Sequence, residues 1–118
     1  MSENVVWIVE GKVKAGERGA FDAVMNEMVE SSRKEEGTLN YQWTIAEDDA
    51  TIHIYERYND TDAVSVHLET TWSTFSERFL AAVDVTRFTV FSNLTPTLRE
   101  AVSGLNPVYM TSIGGFAK

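Results

Sequence analysis

The amino-acid sequence predicts an α+β fold, a split βαβ antiparallel sheet with its helices on one face. Two features carry the prediction. The period of apolar residues switches between that of a strand and that of a helix in the order strand, helix, strand, strand, helix, strand. A strand joined through a helix to another strand of the same sheet makes a right-handed crossover, which yields this layout. The first strand is also apolar on both sides, so both faces of the sheet need cover, while the helices suffice for one. A second copy is the simplest cover for the other face, hence a homodimer packed sheet to sheet.

At 118 residues the chain forms one domain, 1–118, with a core over 4–92 and a helix-and-strand extension over 95–113. The net charge of −8 argues against nucleic acid or an anionic membrane as partner, since both require a basic surface. Cysteine is absent, which excludes disulfides and thiolate chemistry. The start Met1-Ser-Glu-Asn lacks the basic and apolar pattern of a secretory signal, and no stretch has the ~20 apolar residues of a membrane helix, so the expected location is cytoplasmic.

Val5 to Val13 reads as the first strand, with Val5, Trp7, Val9 and Val13 on one face and Val6 and Ile8 on the other. Lys14-Ala-Gly-Glu-Arg-Gly is a turn. From Glu17 to Glu36, Phe21, Val24, Met25, Met28 and Val29 form a helical stripe, and Gly37 stands where a left-handed stop belongs. Leu39, Tyr41, Trp43 and Ile45 alternate with polar residues, the period of a half-buried strand, and Glu47-Asp-Asp-Ala turns the chain into a hairpin with the strand from Ile52. Asn59 or Asp60 caps the next helix, which Glu69-Thr-Thr bends before Trp72, Phe75, Phe79, Leu80 and Val83 continue it. Val85 to Phe91 is a fourth strand. Thr95-Pro96 opens a short helix that Gly104 ends, and Val108 to Ile113 is a last strand.

Chemistry concentrates between Ile52 and His67. Ile52, Ile54, Glu56 and Tyr58 share one face of their strand, so a carboxylate points the same way as two isoleucines. In the helix that follows, Ala63, Val64, His67, Leu68 and Thr71 share a face, which aims the imidazole at the sheet. His67 and Glu56 are the candidate catalytic pair; Tyr41, Trp43, Tyr58 and Trp72 are candidate pocket residues. A structural role, with the imidazole satisfied in the core and the aromatics simply packed, is the alternative. His53 points to the opposite face, toward the dimer contact. No glycine-rich phosphate loop, Ser-His-Asp order or metal-ligand spacing occurs, so neither a cofactor nor a metal is expected.

Glu35-Glu-Gly-Thr-Leu-Asn-Tyr41, Tyr55-Glu-Arg-Tyr-Asn-Asp-Thr-Asp-Ala63 and His67 together resemble the signature of the antibiotic biosynthesis monooxygenase superfamily, from the first strand to residue 92. The resemblance implies a dimeric α+β barrel of ferredoxin-like subunits with a pocket between helices and sheet. It also implies a histidine at His67 and a glutamate at Glu56, as in quinol-oxidising and quorum-signal isomerase members. The chain departs from the anthrone oxidisers, with Tyr58 in place of a tryptophan and Ile54 in place of an asparagine. Gly11 stands where haem degraders carry an asparagine, and Trp72-Ser-Thr-Phe where the isomerase has a second histidine. The expected function is a cofactor-independent monooxygenase of a small aromatic or quinol, in which His67, oriented by Glu56, takes a proton and the substrate anion reduces dioxygen. An isomerase or tautomerase of a small (phospho)dione and a non-catalytic ligand-binding dimer are the alternatives.

Overall fold

The computed structural model describes residues 3–118. Five strands form one sheet in the order β2-β3-β1-β4-β5, comprising β1 (Val5–Val13), β2 (Thr38–Ile45), β3 (Thr51–Tyr58), β4 (Val83–Val90) and β5 (Val108–Tyr109). The first four pair antiparallel, as expected of a split βαβ sheet; β5 joins β4 in parallel. Helices α1 (Arg18–Arg33), α2 (Thr61–His67) and α3 (Ser73–Ala82) connect the strands, and α4 (Pro96–Val102) follows β4. The last strand has two residues rather than the six expected, because Tyr109 is the last side chain beside it that packs on the core. None of the helices among the described residues is long and apolar enough to cross a membrane.

Alternation along the strands fixes which residues face the helices. Val5, Trp7 and Val9 of β1 and Ile52, Ile54, Glu56 and Tyr58 of β3 are all buried on that side. The stripe on α1 closes over them with Phe21, Val24 and Met28, continued by Ser32. Between β3 and α3 the chain is capped by Asp60, whose carboxylate accepts from the N–H of Ala63 at 2.9 Å. It then winds through α2 and widens into a single π turn, Leu68–Trp72, before α3. The bend expected at Glu69-Thr-Thr is this π turn, a local widening that often marks a functional site.

Two stops differ from expectation. Helix α1 ends at Arg33, and Gly37 does not adopt a left-handed conformation. Glycine is required there for space, since an added Cβ would sit 2.4 Å from that of Ala63 on α2. Past α4, a single 3-10 turn, Ser103–Leu105, carries the chain beyond Gly104, and the left-handed residue is Asn106, at φ 52°. Asn tolerates this conformation by bonding locally, so it serves as stop before Pro107.

The Gly37 contact brings the turn after α1 against the first turn of α2, and this sets the distance between the residues of the site. Gly37→Ala is expected to destabilise the fold by about 1–3 kcal/mol, the usual cost of overpacking. Adding Ala63→Gly removes the opposing methyl and recovers part of the loss. Denaturant unfolding of the single and double variants measures both; a single variant as stable as the parent would refute the contact.

Candidate active site

Register places the site's sheet residues side by side. Tyr41 of β2, Glu56 of β3, Trp7 of β1, Val90 of β4 and Tyr109 of β5 are successive cross-strand partners in a single row facing the helices. Above this row α2 delivers His67, which is 3 % exposed, between two tyrosine rings. The imidazole meets the Tyr41 ring at 5.3 Å between centroids, edge on, and the Tyr58 ring at 5.2 Å.

Each imidazole nitrogen faces a carboxyl group. Nδ1 lies 2.9 Å from Oε1 of Glu35, in the turn after α1, and Nε2 lies 3.5 Å from Oε1 of Glu56. The two glutamates differ in environment. Burial alone would raise the pKa of Glu35, but hydrogen bonds from His67, Thr70 and Thr71 outweigh it and bring the carboxyl down to about 2. Thr70 and Thr71 reach Oε2 at 2.6 Å each, and Thr38 donates to Oε1 at 2.8 Å. Glu35 is therefore ionised. Glu56 is held the other way: complete burial pushes its pKa up, only partly offset by His67, by the Tyr58 hydroxyl that donates to Oε1, and by Trp7. Burial also pushes both Tyr41 and Tyr58 well above the ordinary phenol range, so Tyr58 remains a donor.

His67 and Glu56 form the polar end of a chamber between sheet and helices. Its walls are apolar and aromatic, with Trp7, Tyr41, Trp72, Phe79 and Phe88 among them. Val102 and Leu105 of the C-terminal extension close it. The void is small, about 30 Å³, room for about two waters. No lysine or arginine lines it among the described residues. Glu35 and Glu56 stand on opposite nitrogens of one ring and do not converge on a point. Consistent with this, no group of three or more potential ligands among the described residues is arranged to hold a metal ion.

Of the six residues singled out in sequence, His67, Glu56, Tyr41 and Trp72 come together on the chamber wall. Tyr58 lies behind Glu56, fully buried. Trp43 does not face the chamber. It packs edge to face on Phe79 at 5.7 Å and lines a shallow groove with Arg18, Phe21 and Met25. Glu35, which opens the first of the family-like stretches, is not among the site residues that the sequence suggests, since it stands between two other charged residues, Lys34 and Glu36. The signal was present in the spacing: the α1 stripe of Phe21, Val24 and Met28 continues as Ser32 and Glu35. On the facing segment, His67, Thr70 and Thr71 stand at the matching three- and four-residue spacing.

The sequence model of the antibiotic biosynthesis monooxygenase family matches residues 4–85. Among curated proteins nothing matches. Of solved structures, MupZ from Pseudomonas fluorescens is similar with a TM-score of 0.86 at 18% identity, over 100% of this chain and 91% of that one. SnoaB from Streptomyces nogalater, a cofactor-independent oxygenase, gives 0.67 at 14% identity over 80% of this chain and 96% of its own. Rv0793 from Mycobacterium tuberculosis gives 0.66 at 22% identity over 78% and 96%. At these identities the likeness is one of fold.

The opposed carboxyls give stability a pH signature. Glu35, lowered from the ordinary carboxylate value of 4.5 to about 2, contributes stability that is present above pH 4.5 and lost as pH falls toward 2. Glu56, raised, holds its proton longer when folded, so its contribution declines as pH climbs above 4.5. Glu35→Gln is expected to cost on the order of 2 kcal/mol at pH 7 and much less at pH 3. Glu56→Gln is expected to gain stability relative to the parent between pH 5 and pH 8. Denaturant unfolding from pH 3 to pH 8 checks both, and a Glu35→Gln penalty equal at pH 3 and pH 7 contradicts the assignment.

Proposed function

The chain belongs to the antibiotic biosynthesis monooxygenase family, and on that premise we propose that it is a cofactor-independent monooxygenase of a small, uncharged aromatic or quinol-type substrate. The observation that carries this is His67, backed at Nδ1 by an ionised Glu35 and opening with Glu56 onto an apolar chamber that carries no cation. Such walls hold a flat neutral molecule and reject a phosphate or carboxylate, which would meet no positive charge.

His67 removes a proton from the activated C–H or O–H of the substrate. The anion passes an electron to dioxygen, and the radical pair combines into a peroxide whose collapse leaves a carbonyl. One oxygen atom enters the product; the other leaves as water with the two hydrogens lost by the substrate. An apolar chamber serves this sequence because it excludes the bulk water that would quench the anion. Since the void holds about two waters, a ring enters only when the wall parts. Val102 and Leu105, on the short C-terminal cover, lie with Phe88 of β4 outside the matched family region, and they are the wall residues not held in the four-stranded antiparallel sheet or its crossover helices.

The family is commonly dimeric, and we place the second copy on the sheet face opposite the helices. There Tyr55, Ile8, Thr89 and Val108 form a cross-strand row on the face opposite Trp7 and Glu56. A second reading, isomerase or tautomerase of a small dione, is favoured by the adjacency of His67 and Glu56, a base and an acid whose burial favours its proton, which suffices to remove and return a proton. The uncharged dione fits the cation-free lining better than its phosphate ester.

Oxygen consumption with reduced quinones and anthrones is the direct assay. His67→Ala is expected to lower kcat at least a hundredfold, and an unchanged rate removes the base from the proposal. Turnover undiminished under anaerobic conditions selects the isomerase, and binding without turnover selects a ligand-binding domain. For the dimer, Ile8→Asp is expected to convert the sedimenting species to a monomer; a parent protein that is already monomeric overturns that placement.

A further inference from the structure

We propose that Glu35 is the positioning residue of this site: it fixes His67 as the tautomer protonated at Nδ1, leaving the lone pair on Nε2 toward Glu56 and the chamber. The inference rests on the reading of His67 as proton acceptor and adds the residue that makes it one. It follows from counting donors. An ionised carboxylate accepts only, and each Glu35 oxygen is met by hydroxyls: Thr38 on Oε1, Thr70 and Thr71 on Oε2. Thr71 in turn lies 2.7 Å from the Ser31 hydroxyl, which supplies it with a donor, while Thr70 divides its proton between Glu35 and the Val66 carbonyl. A group so surrounded presents an acceptor to Nδ1 at 2.9 Å, and the ring must donate there. Ser32 Oγ, also near Nδ1, is farther, at 3.4 Å.

Three elements fix the geometry. The turn that carries Glu35 is pressed onto α2 by the contact between Gly37 and Ala63. The π turn holds Thr70 and Thr71 on the same oxygen. The rings of Tyr41 and Tyr58 confine the plane of the imidazole. Glu35 touches neither the chamber nor a substrate in it. It acts through His67, so its removal is expected to reduce turnover more than binding.

Nitrogen-15 NMR of the imidazole in the free protein reads the tautomer without any substrate, and so separates this inference from the oxygenase reading. Expected in the parent is a protonated Nδ1 and a bare Nε2; the reverse pattern overturns the proposal. In Glu35→Gln the two tautomers are expected to mix, with kcat at least a hundredfold lower and KM within about threefold, whereas an unaltered spectrum and kcat overturn it. Should that variant fail to fold, Thr71→Val serves in its place. It removes one donor from the carboxylate, so Glu35 accepts more strongly from Nδ1 and the Nδ1 proton moves downfield. An unmoved proton counts against the proposal.

Discussion

The burial of the Glu35 carboxylate as an anion is the constraint on which this site is built. A charge taken out of water costs several kcal/mol unless donors replace the lost hydration, and Glu35 is 8 % exposed. The chain supplies those donors from two places distant in sequence, Thr38 beside it and His67, Thr70 and Thr71 across the helical layer. Together the four spread over both oxygens of the acceptor, two on each. The same contact that makes burial of the carboxylate tolerable therefore also locks the segment from α2 through the π turn onto the end of α1, and orients the histidine as a by-product of stabilising the fold.

Most of the fold was legible because it follows from period. Trp7, Val9, Ile54 and Glu56 face the core on strict alternation, and Phe21, Val24 and Met28 on helical spacing, all as the sequence predicts. Asp60 and Thr95 cap where their side chains allow. Errors arose where a residue's role is set by a remote neighbour. Gly37 carries the composition of a helix stop, yet its requirement comes from Ala63. Trp43 sits one cross-strand row from Tyr41, beside Ile54 rather than Glu56, and so packs on Phe79.

The site was half legible for the same reason. Glu56 and His67 each announce themselves by standing on an apolar face, an anomaly that local spacing can detect. Glu35 stands next to Lys34 and Glu36, where a third charge is no anomaly, and its burial depends on hydroxyls more than thirty residues away. Sequence assigned Glu56 to orient His67; the structure puts Glu35 on Nδ1 and leaves Glu56 on the nitrogen that faces the chamber.

That rearrangement changes what the pair of glutamates can do. Were both ionised around one imidazole, the buried cluster would hold uncompensated negative charge, a state the low dielectric of the core opposes. Hydroxyls crowd the first and keep it charged; apolar walls surround the second and favour its proton. In the proposed reaction, proton capture at Nε2 would create an imidazolium beside the Glu35 anion, so the step would form an ion pair rather than a lone buried charge. The imidazolium would then stand next to the proposed substrate anion, inside a chamber to which the described residues contribute no lysine or arginine. On the proposed reading such a site supplies its proton acceptor from the protein's own side chains, which suits a substrate whose anion is reactive enough to carry the rest of the chemistry.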